Sequence, residues 1–239
     1  MTGYMNQTII DKLHKFFVVA AILMLTSFVY AEFKVASAGD DYVEVEFTLP
    51  EYQLAPVIVN DHKYYRFEDP TGGFLMVKGL PEILTYSTII AIPDRGDYNV
   101  GEPQIVETRK FNDIKIFPSQ GFDFEISQAE GFQYNSGFYK KDTFYPNYAA
   151  QVSSPSIMRS MRLVNLTVYP FSFNPAKREL DVHHKLIVRI DFDKTVPGVN
   201  ELPITPLKFS RPFEKVLSEN VINYHQFRGD DLNYQQRSL

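Results

Sequence analysis

Apolar and polar residues alternate with a period of two along much of this chain. In "DYVEVEFTLP" Val43, Val45 and Phe47 point one way and Glu44 and Glu46 the other, which predicts a half-buried strand ended by Pro50. "APVIVN" and "KYYRFE" flank Asn60-Asp61, a turn dipeptide, and predict a hairpin. "STIIAIP" is a short apolar run closed by Pro93, and "NDIKIFP" alternates through Ile114 and Ile116 to Pro118. "RLVNLTVYPFSF" places Leu163, Asn165 and Thr167 opposite Val164, Leu166 and Val168. Asn174-Pro175 then turns the chain. "ELDVHHKLIVRIDFD" returns with Ile187, Arg189 and Asp191 on one face and Val188, Ile190 and Phe192 on the other. Short strands between turn signals, without long helical periodicity, predict an all-β fold over residues 32–195: an antiparallel β-sandwich, jelly-roll-like, or a barrel.

Both ends of the chain depart from this pattern. Lys12, His14 and Lys15 precede an apolar run from Phe16 to Val29 that ends in Val29-Tyr30-Ala31. Residues 1–31 have the layout of a secretory signal peptide cut after Ala31, leaving Glu32 first and the protein exported. An uncleaved anchor is the competing reading, disfavoured by the short apolar run. Toward the other end, "KTVPGVNELPITP" has linker composition. Ser210, Arg211 and Pro212 then open one short helix with Phe213, Val216 and Leu217 on a common face. Beyond it, "NYHQFRGDDLNYQQRSL" has little to bury, so residues 196–239 read as a linker and a short helix.

Composition narrows the chemistry. The 15 Tyr and 20 Phe of the 239 residues favour strands and a sizeable core. The chain has no Cys, hence no disulfide, cysteine nucleophile or thiolate metal site of its own. A net charge of −5 without a basic run gives nucleic-acid binding no support. His183 and His184, adjacent in a strand, point to opposite faces and do not share a metal. Nothing implies a cofactor or catalytic pair.

One stretch combines exposure signals with chemistry. In "SGFYKKDTFYPN", residues 136–147, Lys140 and Lys141 sit between Phe138-Tyr139 and Phe144-Tyr145, with Gly137 before and Pro146-Asn147 after. Read alone, such a tip is an ordinary solvated turn.

A resemblance gives the tip a role. "GLPEILTYSTIIAIP", "KIFPSQ", "FYPN" and "RSMRLVNLTVYPFSFNPAKRELDVHHKLIVRIDF", in this order, are similar to the N-terminal pro-region of gingipain-type cysteine peptidases, family C25. "KFSRPFEKVLSENVINYHQF" resembles that family's connection to the protease. The resemblance implies a β-sandwich that inhibits and escorts a cognate cysteine peptidase whose catalytic His and Cys lie downstream. It also implies a basic residue offered to that peptidase's specificity pocket, a position falling on Lys141 with Lys140 beside it. Tyr139 and Phe144 would exclude water around the contact. Arg228 is the preferred processing site, and Arg237 a further basic one. The alternative is a free-standing secreted β-sandwich that binds a glycan or a surface partner through aromatic rings.

Overall fold

The computed structural model describes residues 32–121, 131–203 and 210–228. Its strands are β1 (Glu32–Ala38), β2 (Tyr42–Thr48), β3 (Gln53–Val59), β4 (His62–Glu68), β5 (Gly73–Leu75), β6 (Ile83–Ile92), β7 (Asp97–Val100), β8 (Gln104–Phe111), β9 (Ala150–Val152), β10 (Ser156–Met158), β11 (Met161–Val168), β12 (Phe171–Asn174) and β13 (Glu179–Asp193). Two helices follow, α1 (Arg211–Asn220) and α2 (Tyr224–Arg228).

Two antiparallel sheets face each other. The first is organised around β13, which pairs with β12 and β2 along one edge and with β8 and β7 along the other. β1 extends it beyond β2. The second sheet runs β10-β11-β6-β5, with β9 also on β11. β3 and β4 form a separate hairpin. Val43, Val45 and Phe47 of β2 and Leu186, Val188 and Ile190 of β13 meet Ile90 of β6 and Val164 and Leu166 of β11 in one buried core. The period-two pattern produces this arrangement, because each strand turns its apolar set inward.

The antiparallel sandwich expected from the sequence is therefore present, with differences in detail. Asn60 and Asp61 turn the β3–β4 hairpin with φ of 48° and 61°, the left-handed pair that a two-residue turn requires. "RLVNLTVYPFSF" is two strands in different sheets, because Tyr169-Pro170 interrupts the ladder and carries the chain across. "NDIKIFP" forms no ladder; it is pinned by isolated bridges, Tyr65 to Ile116 and Pro81 to Pro118. The segment after Asn220 is not merely polar tail. It forms α2, and Tyr224 packs with Leu217, Val221, Ala91, Met161 and Leu163 in a second apolar cluster.

Neither is the region after β13 a free spacer. Val199 carbonyl accepts from Arg162 Nη2 at 2.6 Å, and Leu202 N–H donates to Asp94 carbonyl at 2.9 Å. A Cβ on Gly198 would overlap the Gly96 carbonyl, so the close approach of these two turns requires glycine there. Among the described residues no helix is long and apolar enough to cross a membrane. Residues 1–31, with the cleavage expected at Ala31, lie outside the described residues, as does Arg237.

Candidate functional site

The Lys140-Lys141 tip lies between β8 and β9 in the chain and is built on a platform of rings. Asn135 starts it: its side-chain oxygen accepts Phe138 N–H at 2.9 Å and its carbonyl accepts Tyr139 N–H at 3.1 Å. Asx capping of this kind closes Phe138–Lys140 into one 3-10 turn. Lys141 N–H donates to Phe138 carbonyl at 2.9 Å and ends the turn.

Tyr139 points down from the turn and is 6% exposed. Its ring stacks on Tyr134 with centroids 4.6 Å apart, and its hydroxyl donates to the buried Ile116 carbonyl at 2.9 Å. Burial, followed by the neighbouring Tyr134 and Tyr64, pushes the phenol far above its ordinary pKa, so it remains a donor. Lys115 Nζ lies 4.5 Å from the Tyr64 ring centroid and 5.1 Å from that of Tyr134, filling the base of the platform. Tyr139→Phe deletes the one hydroxyl that satisfies Ile116 carbonyl here. We expect it to lower unfolding stability by about 1–2 kcal/mol, read by urea denaturation with an unchanged m-value.

Above the platform the lysines are exposed. Lys140 belongs to the 3-10 turn, whereas Lys141 has extended backbone, φ −77° and ψ 128°. The Lys141 ammonium rests 5.5 Å from the Phe138 ring centroid. Phe144 is half-buried and lines a cleft of about 630 Å³ together with Asp142, Thr143, Tyr148, Ile105 and His183. His183 is lowered in pKa by burial and lies 2.9 Å from Thr108 Oγ1.

The structure thus leaves Lys140 and Lys141 exposed, places Phe144 on the wall of the neighbouring cleft, and commits Tyr139 to the domain's own interior. The sequence signal that separates the two aromatics is Asn135, whose cap fixes the turn and sends Tyr139 inward. Other rings also pack inward: Phe171 lies 4.4 Å from Phe67 and 4.9 Å from Tyr52, centroid to centroid.

Arg228 lies far along the chain from the tip, at the end of α2, and is not on a loose polar tip. Its side chain is 16% exposed, donates to Ser160 carbonyl, and approaches Glu214 Oε2 to 3.8 Å. A five-residue helix is too short for its periodicity to be visible in the sequence.

Comparisons with known proteins agree with this architecture. A solved complex of Porphyromonas gingivalis RgpB pro- and mature domains contains a chain that superposes with a TM-score of 0.68 at 21% identity, covering 80% of this chain and 97% of that one. A structure concerned with the zymogenic latency of gingipain K, from the same organism, superposes with a TM-score of 0.57 at 18% identity, covering 72% and 96%. Gingipain R2 of two Porphyromonas gingivalis strains is 22% identical over 198 residues, which is 82% of this chain. The chain spans 26% of the length of those relatives. The Propeptide_C25 family model matches residues 33–229, so the chain belongs to that family and is a pro-region, not a catalytic domain.

Proposed function

We propose that this pro-region inhibits and escorts an exported cysteine peptidase, and that Lys141 enters the acidic specificity pocket of that enzyme. The observation that supports this most directly is the form of the tip. Lys141 is exposed and extended, and the turn beneath it is already ordered by Asn135 and Tyr139. A peptidase that reads extended substrate is offered one at small ordering cost. Lys140, inside the 3-10 turn, lacks that backbone.

A buried ammonium requires a carboxylate partner to offset its desolvation, and lysine suits a compact point-charge contact. Phe144, at the cleft, shields one side of the contact, while Tyr139 supports the turn from below. Residues 1–31 are removed on export by a cut after Ala31, and release of the peptidase follows a cut after Arg228. The aromatic rings of the core pack against one another.

The test is the inhibition constant of the chain from Glu32 onward against the catalytic domain of a gingipain-type cysteine peptidase. Lys141→Ala is expected to weaken inhibition about 30-fold, close to 2 kcal/mol, and Lys140→Ala much less. A loss below about fivefold, under 1 kcal/mol, excludes Lys141 as the anchor.

A further inference from the structure

We infer that Asp142 is a positioning residue: it keeps the chain that follows Lys141 fastened to the domain's own sheet, so that the Lys141–Asp142 peptide bond resists hydrolysis while it occupies a peptidase. The inference rests on the reading of Lys141 given above and explains why such a tip inhibits instead of being consumed.

The fastening is specific. Asp142 Oδ1 accepts from Asn174 Nδ2 at 2.8 Å and lies 3.1 Å from Lys177 Nζ. Asn174 is 1% exposed and ends β12, and its own Oδ1 accepts Lys177 N–H at 3.1 Å. One buried amide therefore joins the β12–β13 turn to the residue after Lys141. Three positions farther on, Tyr145 and Phe173 exchange backbone hydrogen bonds of 2.9 and 2.8 Å. Ser172 Oγ donates to Pro146 carbonyl at 2.8 Å. The hydrogen bonds from Asn174 and Lys177 hold the Asp142 carboxyl below its ordinary pKa, so it is ionised at neutral pH.

On the other side of the bond, Phe138 carbonyl holds Lys141 N–H, and Ile116 carbonyl holds Tyr139. Both halves of the tip are thus attached independently to the same domain, one through Tyr139 and the other through Asp142. When a cysteine thiolate attacks the Lys141 carbonyl carbon, the C–N bond to Asp142 breaks, a proton passes from the peptidase's general acid to the Asp142 nitrogen, and Lys141 becomes a thioester. In a loose peptide that amine diffuses away, and water then cleaves the thioester. Here Asp142 and Tyr145 keep the amine within reach. It attacks the thioester, returns its proton, re-forms the peptide bond and releases the thiolate. A tethered nucleophile of this kind outcompetes water through its effective concentration.

The experiment follows the same chain and catalytic domain over time, with mass spectrometry of the cut after Lys141 and residual inhibition measured together. Asp142→Ala is expected to be cut at least tenfold faster than wild type, with inhibition that decays as the fragments appear. Asp142→Asn keeps an acceptor for Asn174 and is expected to stay within threefold of wild type. The inference is overturned if Asp142→Ala is cut no faster than wild type, or if Asp142→Asn is cut as fast as Asp142→Ala. Cuts scattered over many sites in Asp142→Ala would mean that the carboxylate supports the whole domain, which also overturns it. Failure of the underlying reading has a different signature, namely undiminished inhibition by Lys141→Ala.

Discussion

Arg162→Met is expected to lower the unfolding free energy by about 3–5 kcal/mol and the melting temperature by roughly 10 °C. Arg162 is 1% exposed, and its guanidinium donates to backbone carbonyls: to Val199 carbonyl from Nη2 at 2.6 Å and Nε at 3.1 Å, and to Gly96 and Pro93 carbonyls from Nη1 at 2.7 and 3.2 Å. Three acceptors from two separate turns thus share one cation. Glu201 completes the junction by accepting Gly96 N–H and Gly198 N–H, each at 2.9 Å. Methionine fills a similar volume but leaves those carbonyls without a donor, each at a cost of about 1–3 kcal/mol, partly relieved as water enters. Lysine restores the charge without the planar fork that spans both turns, so Arg162→Lys is expected to recover less than half of the loss. Thermal unfolding of the three proteins measures this. A drop below about 2 °C for Arg162→Met would show that the 194–202 segment contributes little to the body.

Arg162 also shows where reading the sequence stops. The alternation around it places β11 correctly, since Val164, Leu166 and Val168 are all buried. Nothing local says that a cation in the same strand points into a cage of carbonyls supplied by residues some 40 and 70 positions away. β2 and β13 were legible for the same reason as β11: one face is wet and the other dry, so period two is written into the residues. β8 was not, because every one of its residues is exposed and no alternation is imposed on "QIVETRKF". "NDIKIFP" misled in the opposite sense. Its Ile116 is fully buried, but the segment is held by single bridges and by Tyr139, so its alternation reports burial without a ladder. At the tip, the lysines were visible as chemistry, and the platform under them was not. It depends on Tyr64, Lys115, Tyr134 and Tyr139 converging from separate segments.

Glu214→Ala is expected to accelerate cleavage after Arg228 by about 30- to 150-fold when the folded chain is exposed to trypsin. Glu214 is 5% exposed and accepts the Tyr224 hydroxyl at 2.8 Å and Ser160 Oγ at 3.2 Å, with Arg228 Nε at 3.8 Å. Burial and the hydrogen bond to Glu214 push Tyr224 up to about 12, so the phenol remains a donor across the working range. The helix that ends at Arg228 is fastened elsewhere as well. The Asn223 side chain pairs with both Ala91 N–H and Ala91 carbonyl, at 2.7 and 2.9 Å, imitating a strand along the open part of the β6 edge. Gln226 Nε2 reaches the Gly39 and Tyr42 carbonyls, at the β1–β2 turn of the other sheet, at 2.8 and 3.0 Å. A protease requires several residues in extended form, so a cut after Arg228 requires α2 to open first. Cleavage then follows the population of the open form. Removing Glu214 leaves Arg228 on the Ser160 carbonyl without its carboxylate and Tyr224 without its acceptor, a change of about 2–3 kcal/mol in that opening, which gives the stated acceleration. Glu214→Gln retains an acceptor for Tyr224 and loses only the charge, so it belongs between wild type and Glu214→Ala. If all three chains are cut at Arg228 at one rate, α2 is already open in the wild type and the Glu214 junction does not guard the bond after Arg228.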